Sequence, residues 1–266
     1  MQAIGLIPAR WASSRFPGKP LAQIGGKPMI QRVYEQARKA LDTVVVATDD
    51  SRIFDCVTAF GGQAVMTRSD HRCGTERCLE AYETILAHPE AYGLTPQAVS
   101  NEQDIVVINV QGDEPFIQPE QIRLLRGCFP AEIATLVKPF RANDTWEQLA
   151  NPNTPKVAVS KDGRALLFSR SVIPYFRGVP QDEWLGRTQY YGHIGMYAYR
   201  GDVLRQIVSL PMSELEQTES LEQLRWLDNG YTIRVAVSEQ SSVGIDTPED
   251  LQRAEQFLQK HLNTLH

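Results

Sequence analysis

Residues 3–48 read AIGLIPARWASSRFPGKPLAQIGGKPMIQRVYEQARKALDTVVVAT, and this stretch decides the fold. It begins with a short apolar run, Ala3 to Ile7, which predicts a buried strand that ends at Pro8. A long loop follows, and residues 28–41 then carry apolar side chains at helical spacing. The β-branched run 43–48 predicts a second strand. The order strand, helix, strand is typical of an α/β fold.

The same alternation continues through the first half of the chain. Further strands are predicted over 64–67 and 104–110, and further helices over 49–62, 74–88 and 119–127. Asp49 or Asp50 is suited to cap the first of these helices. This alternation favours a mostly parallel central sheet with helices on both faces.

The second half contains different elements. They are, in order, a hairpin over 156–168 with its turn at Lys161-Asp162-Gly163, an aromatic strand over 190–200, an acidic helical region over 213–229, a strand over 231–237 and a helix over 247–261. A weak boundary near 139–152 therefore separates the parallel sheet from a smaller mixed or antiparallel extension.

Composition excludes several classes of protein. The chain has 266 residues and a formal net charge of −5, and it carries no stripe of basic and aromatic residues, which argues against nucleic-acid binding. No apolar run approaches about 18 residues, and no basic leader precedes a long apolar stretch, so we expect no membrane span and a cytoplasmic location. The four cysteines form no CxxC pair, which favours reduced thiols.

The loop after the first strand carries the strongest functional signal. The first 34 residues contain no Asp or Glu, yet this loop contains Arg10, Arg15 and Lys19. Arginine forks and a lysine ammonium suit the oxygens of a triphosphate, and Gly18 would let the backbone approach a ligand. The loop is not a Walker P-loop, because Lys19 is followed by Pro20. An ordinary basic surface loop is the alternative.

Two aspartates are candidate ligands of Mg²⁺. Asp113 lies on a turn directly after a predicted apolar strand, where a carboxylate is well placed for this ion. Asp246 precedes a helix that Thr247 and Asp250 already cap, so its carboxylate is left over for a ligand. Each aspartate could instead be an ordinary turn residue. His193, in the aromatic strand, is either a site residue or a hydrogen-bonded structural histidine.

Six motifs, in chain order, resemble those of the CMP-sugar synthetases. They are Ile7 to Leu21, Gly74-Thr75-Glu76-Arg77, Asn109-Val110-Gln111-Gly112-Asp113-Glu114-Pro115, Phe168-Ser169-Arg170, His193-Ile194-Gly195 and Asp246-Thr247-Pro248-Glu249-Asp250. Together they are most similar to the 3-deoxy-manno-octulosonate cytidylyltransferases of that group. The resemblance implies a nucleotide-diphospho-sugar transferase-like α/β fold, a homodimer and Mg²⁺. It also implies that CTP and 3-deoxy-D-manno-octulosonate (Kdo) are converted to CMP-Kdo and pyrophosphate, for lipopolysaccharide or for a capsule.

The resemblance also implies roles for individual residues. The catalytic residues would be Arg15, Lys19, Asp113 and Asp246, the two aspartates as metal ligands. The nucleotide would be bound by Ala9, Arg10, Lys19, Gly74, Thr75, Arg77 and Asp113. The sugar acid would be bound by Gln111, Arg170, His193, Glu216 and Gln217. Arg72-Cys73 stand where the family usually has Gln-Ser, so the base pocket is expected to differ there.

The implied reaction is an in-line displacement, in which the anomeric hydroxyl of Kdo attacks the α-phosphorus of CTP and pyrophosphate leaves. We expect one cytidylyltransferase domain over 1–266. Its nucleotide-binding half would be 1–140, and its sugar-binding and dimerisation half would be 141–266.

Particular residues argue against two alternative functions. A CMP-sialic acid synthetase would share the first loop, but His193-Ile194-Gly195 and Leu215-Glu216-Gln217 are similar to the Kdo enzymes. A catalytically silent nucleotide-sugar-binding protein should have lost Lys19, Asp113 or Asp246, and all three are present.

Overall fold

The computed structural model describes residues 1–12, 16–240 and 244–263, apart from the side chains of Phe257 and of residues 259–263. Within these ranges, no helix combines the length and the apolar composition needed to cross a membrane. All four cysteines are free thiols.

The chain forms two compact units. Unit 1 consists of Met1–Arg123 together with Ser242–His266, and unit 2 consists of Leu124–Ser241. The C-terminal segment belongs to unit 1, where Ile245 and Ala254 pack with Ile24 and Met29.

Unit 1 is built on a parallel sheet. Its elements are β1 (Gln2–Ala9), the short pair β2 (Gln23–Ile24) and β3 (Lys27–Pro28), α1 (Met29–Arg38), β4 (Thr43–Thr48), α2 (Ser51–Ala59), β5 (Gln63–Met66), α3 (Gly74–Ala87), β6 (Ile105–Asn109) and α4 (Pro119–Arg126), whose residues fall on both sides of the division at 123. The sheet has the order β6-β1-β4-β5, and every neighbouring pair is parallel. Every residue of β4 and of β6 is buried, as expected for strands covered on both faces. The mostly parallel sheet predicted from the sequence is confirmed.

The first strand is longer than the sequence predicted, since it continues through Pro8 to Ala9. The carbonyl of Leu6 accepts from Val110 on the β6 side. The backbone of Pro8 is directed to the same side of β1 as the backbone of Leu6. Because the pairing with β6 ends at Asn109, no residue of β6 lies where it would accept a hydrogen bond from the N–H that proline lacks.

Unit 2 holds the mixed sheet. Its elements are β7 (Ile133–Pro139), α5 (Trp146–Ala150), β8 (Lys156–Val159), β9 (Ala165–Ser169), α6 (Trp184–Arg187), β10 (Tyr191–Arg200), α7 (Gly201–Val208), α8 (Glu214–Glu219), α9 (Gln223–Asp228) and β11 (Ile233–Val237). β11 pairs with β7 in parallel, and the pairs β7–β10, β10–β8 and β8–β9 are antiparallel. The predicted antiparallel extension, including the hairpin of β8 and β9, is therefore confirmed.

Neither β7 nor α7 was predicted from the sequence, which also indicated a single helical region over 213–229. The structure has two short helices there. Ser220 separates them in the left-handed conformation, with φ 50° and ψ 49°, and a residue in that conformation ends a helix.

The last helix, α10 (Pro248–Asn263), returns to unit 1. Ile245 and Ala254 are fully buried with Ile24 and Met29 in one apolar cluster. The amide of Ile245 donates to the carbonyl of Asp113 at 2.9 Å. This contact brings the segment before α10 to the loop that follows β6.

Candidate functional site

A cavity of about 310 Å³ lies in unit 1, where β1 ends, the loop after β6 begins and α3 starts. Its lining includes eight residues that the sequence analysis assigned to the site: Ala9, Arg10, Lys19, Gly74, Arg77, Gln111, Asp113 and Asp246. The carboxyl ends of parallel strands are where ligands bind in such sheets. The cavity is therefore the candidate functional site.

Lys19 is positioned by a turn that requires glycine. Gly18 has φ 71°, and its amide donates to the carbonyl of Trp11 at 3.1 Å. A Cβ at Gly18 would lie 2.8 Å from the indole ring of Trp11. Glycine at this position therefore makes room for Trp11 and for the turn.

The ammonium of Lys19 joins the two candidate metal ligands. Its Nζ lies 2.8 Å from Oδ2 of Asp113 and 3.3 Å from Oδ1 of Asp246. The two aspartates are 133 positions apart in the sequence, and they meet because Ile245 bonds to the backbone of Asp113. One cation already binds both carboxylates, so the pair is arranged to hold positive charge.

The start of α10 fixes Asp246. Thr247 and Asp250 form the predicted capping box, with the amide of Thr247 donating to Asp250 at 2.9 Å and the amide of Asp250 to the Thr247 hydroxyl at 3.2 Å. The amide of Asp246 also donates to Asp250, at 3.0 Å. That hydrogen bond is the largest cause that lowers the pKa of Asp250, to about 2. As predicted, Thr247 and Asp250 form the cap of the helix. The carboxylate of Asp246 is directed to Lys19 instead.

The loop after β6 is pressed against β1. A Cβ at Gly112 would lie 2.9 Å from the carbonyl oxygen of Pro8, so only glycine fits there. The neighbours of Gly112, Gln111 and Asp113, thereby both reach the cavity. Gln111, expected to bind the sugar acid, lies with the residues expected to bind the nucleotide.

Arg10 is the uncommitted cation of the cavity. Its side chain is exposed, and no carboxylate within the described ranges forms an ion pair with it. It is therefore available to an anionic ligand. Arg15, the other predicted arginine of this loop, lies outside the described residues.

Arg77 has a structural role that the sequence did not predict. Its guanidinium is 4% exposed and lies 2.9 Å from Asp49, and it also donates to the hydroxyl of Thr67 at 2.5 Å. Asp49, one of the two predicted caps of α2, is thus the partner of Arg77. The cap of α2 is Asp50, which accepts from the amide of Arg52. Arg77 thus ties α3 to the ends of β4 and β5 while its side chain borders the cavity. Thr75, on the same helix, is buried and is not part of the lining.

His71 lines the cavity and was not predicted from the sequence. The imidazole is 4% exposed and lies between two carboxylates, hydrogen-bonded through Nε2 to Glu80 and 3.9 Å from Glu76 through Nδ1. Glu76 also accepts from the amide and guanidinium of Arg72, both at 2.8 Å. Glu76 and Glu80 lie one turn apart on α3. This spacing can be seen in the sequence, and it indicates a polar partner in the preceding loop.

The other four residues expected to bind the sugar acid lie in unit 2. Glu216 is buried, with Oε2 3.2 Å from Nε of Arg225, and Gln217 is exposed on the same helix, α8. Arg170 directs its guanidinium to main-chain carbonyls, including that of Pro152 at 2.9 Å. Glu216 and Arg170 therefore already have partners inside the protein.

His193 is a neutral acceptor in this environment. Burial lowers its pKa to about 3. Its Nε2 lies 3.0 Å from the hydroxyl of Thr135, which donates to the carbonyl of Met196 at 2.9 Å. The hydroxyl has one hydrogen, so it accepts from Nε2–H and leaves Nδ1 as an acceptor. His193 can thus accept from a ligand hydroxyl, but it cannot form an ion pair with a carboxylate near neutral pH.

The two carboxylates beside Lys19 are suited to bind Mg²⁺ only together with oxygen atoms from a bound substrate and from water. In the part of the chain that the structure describes, no three His, Cys, Asp or Glu side chains converge on one point. Asp113 and Asp246 supply two carboxylates, and Mg²⁺ in nucleotide sites is commonly bound by one or two carboxylates with water and phosphate oxygens completing its octahedron. The residues present fit that arrangement.

Comparisons with known proteins agree on one family. A family model described as Cytidylyltransferase matches residues 4–234. The 3-deoxy-manno-octulosonate cytidylyltransferase of Parabacteroides distasonis is 56% identical, over 97% of this chain and 98% of that protein. The enzyme of the same name from Phocaeicola vulgatus is also 56% identical, over 98% of both chains. A solved structure of CMP:2-keto-3-deoxy-manno-octonic acid synthetase complexed with CTP superposes with a TM-score of 0.84 at 40% identity, over 98% of this chain and all of that one.

Proposed function

This chain belongs to the cytidylyltransferase family, among the 3-deoxy-manno-octulosonate cytidylyltransferases, and we propose on that premise that it transfers the cytidylyl group of CTP to Kdo. The products are CMP-Kdo and pyrophosphate. The observation that carries this proposal is the cavity in which Lys19 joins Asp113 and Asp246 beside the uncommitted Arg10. A relative of similar fold is solved with CTP.

The residues of unit 1 act by positioning and by neutralising charge. Arg10 and Lys19 bind phosphate oxygens, and Lys19 stabilises the negative charge that develops on the departing pyrophosphate. Asp113 and Asp246 would hold Mg²⁺. That ion would screen the phosphate charges. The protein need not form a covalent intermediate, because an oriented hydroxyl can displace pyrophosphate directly.

The residues of unit 2 select the sugar. His193 accepts a hydrogen bond from a hydroxyl group through Nδ1, since its ring is neutral. Gln217 has an exposed amide, which can both donate and accept. Each hydroxyl of a sugar acid also both donates and accepts, so either side chain can pair with one.

We also propose that the protein is a homodimer that works in the cytoplasm. In the described part of unit 2, six large apolar side chains are exposed, namely Leu166 (61%), Leu167 (41%), Tyr175 (73%), Met212 (53%), Leu215 (47%) and Val237 (44%). Exposed apolar area of this kind supports an interface with a second copy. Four free thiols suit a reducing compartment. Sedimentation of the purified protein should give twice the chain mass, and a monomer at every micromolar concentration would contradict the dimer.

Pyrophosphate release measured over a matrix of substrates tests the activity. CTP, UTP or ATP is combined with Kdo or N-acetylneuraminate, with Mg²⁺ present. We expect release with CTP and Kdo together and little with any other pair. Preference for N-acetylneuraminate would instead identify a CMP-sialic acid synthetase. Tight binding of CTP without release from either sugar would identify a silent nucleotide-binding protein.

A further inference from the structure

The indole of Trp11 lies against the turn that places Lys19. A Cβ at Gly18 would come within 2.8 Å of the six-membered ring of Trp11. The carbonyl of Trp11 also accepts from the amide of Gly18, at 3.1 Å. Gly18 directly precedes the short 3₁₀ helix Lys19–Leu21. The position of Trp11 therefore determines where the side chain of Lys19 starts.

The guanidinium of Arg52 covers the same indole. Its Cζ lies 3.3 Å from the centroid of the Trp11 ring. This distance is well inside the range of about 6 Å within which an aromatic face attracts a cation. Arg52 is the second residue of α2, so the contact joins the loop after β1 to the start of that helix. We call this contact the Arg52–Trp11 stack.

Asp50 fixes the plane of the guanidinium. Its two carboxylate oxygens accept from Nε of Arg52 at 2.9 Å and from Nη2 at 2.6 Å, which is a paired contact. The same carboxylate caps α2 by accepting from the amide of Arg52 at 2.9 Å. Because the cap fixes Asp50, the paired contact holds the guanidinium over the indole, although the side chain of Arg52 is 54% exposed.

These contacts form one continuous series that runs from a helix cap to the candidate site. Its members are, in order, Asp50, Arg52, Trp11, Gly18, Lys19 and the aspartate pair Asp113 and Asp246. All of them belong to unit 1. The series therefore links an exposed guanidinium to the ammonium that lies between the two aspartates.

We propose that Arg52 and Trp11 are positioning residues, which hold the turn at Gly18 and so keep the ammonium of Lys19 in place. This inference rests on the proposed function, in which that ammonium stabilises charge on the departing pyrophosphate. Neither Arg52 nor Trp11 is among the described residues that line the cavity. Loosening the Arg52–Trp11 stack should therefore lower turnover only while Lys19 is present.

Turnover of Arg52→Gln tests the inference, because glutamine keeps a planar amide that can donate to Asp50 but carries no cation. We expect kcat with CTP and Kdo to fall about two- to fivefold, the factor that corresponds to a cation on an exposed aromatic face. Arg52→Lys keeps a cation and should recover part of this loss. An unchanged kcat in Arg52→Gln would overturn the inference.

Arg123→Gln is the matched control. The side chain of Arg123 is 53% exposed and pairs with Glu120 at 3.4 Å, and it does not line the cavity. This variant should leave kcat unchanged. A fall as large as that of Arg52→Gln would show that loss of any exposed arginine of unit 1 lowers turnover, and it would overturn the inference.

Two further backgrounds show whether the effect passes through Trp11 and Lys19. Arg52→Gln should add nothing to Trp11→Leu, because the ring that the guanidinium covers is gone. It should also add nothing to Lys19→Met, which lacks the ammonium. A further fall of kcat in either background would overturn the inference, since Arg52 would then act on the nucleotide or on folding. The Lys19→Met background decides the question alone if Trp11→Leu does not fold.

Binding of Mg²⁺ alone gives a readout that does not depend on activity. In the free protein the ammonium of Lys19 occupies both aspartates, so a less firmly placed ammonium should compete less with the ion. Isothermal titration should show about two- to fivefold tighter binding in Arg52→Gln than in the wild type. Equal affinities would overturn the inference. If the wild type released no pyrophosphate with CTP and Kdo, the proposed function would fail, and this titration would still decide the role of Arg52.

Discussion

Replacing Lys19 by methionine should change metal binding and turnover in opposite directions. Methionine keeps the length and apolar character of the lysine stem and removes the ammonium. In the free protein, Lys19 occupies the two carboxylates that would hold Mg²⁺. The ion must therefore displace the ammonium before it binds, whereas the reaction needs the same ammonium on the phosphates.

The size of the metal effect follows from the geometry. Nζ is 2.8 Å from one carboxylate oxygen and 3.3 Å from the other, so these oxygens are at most about 6 Å apart. Two negative charges at about 6 Å repel by roughly 0.7 kcal/mol in water and by about 3 kcal/mol at an effective dielectric constant of 20. Mg²⁺ relieves that repulsion, so Lys19→Met should bind Mg²⁺ alone about 3- to 100-fold more tightly than the wild type.

Turnover should fall, because the developing charge on pyrophosphate loses its partner. Removal of a donor aimed at transition-state charge typically costs about 10²- to 10³-fold in kcat. Stability should change by about 1 to 3 kcal/mol, which is the repulsion estimated above. Unlike a general loss of folding, this pattern combines stronger metal binding with weaker catalysis.

Two assays check this prediction. Isothermal titration with Mg²⁺ in the absence of nucleotide gives the metal affinity, and pyrophosphate release with CTP and Kdo gives kcat. Lys27→Met is the matched control, since Lys27 forms an exposed ion pair with Glu35 at 2.8 Å and does not line the cavity. Normal turnover in a folded Lys19→Met protein would refute the role of the ammonium. Weaker binding of Mg²⁺ alone would refute the competition for the two carboxylates.

Three further outcomes are expected elsewhere in the chain. Asp250→Ala should lower the free energy of unfolding by about 1 kcal/mol in urea and weaken Mg²⁺-dependent CTP binding, because Asp246 loses the acceptor of its amide; intact CTP binding would contradict the second part. Arg77→Met should destabilise unit 1 by about 3 to 5 kcal/mol, because it leaves the Asp49 carboxylate, whose side chain is only 12% exposed, without its partner. The double variant Asp49→Asn, Arg77→Met should lose less stability, and an equal or larger loss in the double variant would contradict this reasoning. Burial holds the pKa of His193 near 3 in the folded state, against 6.5 in the unfolded state. Between these two pH values the unfolded chain takes up a proton that the folded chain does not. The stability that the neutral ring contributes is therefore complete above pH 6.5 and is lost as the pH falls from 6.5 toward 3. Urea denaturation at several pH values should show that His193→Gln removes this part of the acid dependence, and an unchanged acid profile would show that the ring is already accessible to protons.

Much of the fold could be predicted, because local patterns determine it. The strand over 43–48 and the capping box of Thr247 and Asp250 are confirmed at the residues that the sequence indicated. The run 133–139, which forms β7, contains five consecutive buried residues. It carried a strand signal that the sequence analysis did not use.

Eight residues that line the cavity were named from the sequence, but their contacts could not be predicted. Asp113 and Asp246 could be identified one at a time, because each follows or precedes a recognisable element. The bridge through Lys19, the pairing of Arg77 with Asp49 and the occupation of Arg170 by α8 join residues that are distant in the sequence. No local period encodes such pairs, since they depend on which elements pack together.

Phosphorus NMR of the complete reaction tests the central claim most directly. With CTP, Kdo, Mg²⁺ and the wild-type protein, the α-phosphorus of CTP should pass into a new phosphodiester signal while free pyrophosphate appears in equal amount. Substituting UTP for CTP should leave the nucleotide signals unchanged. Formation of CMP and pyrophosphate without the phosphodiester, or no change in the CTP signals, would contradict transfer of the cytidylyl group to Kdo.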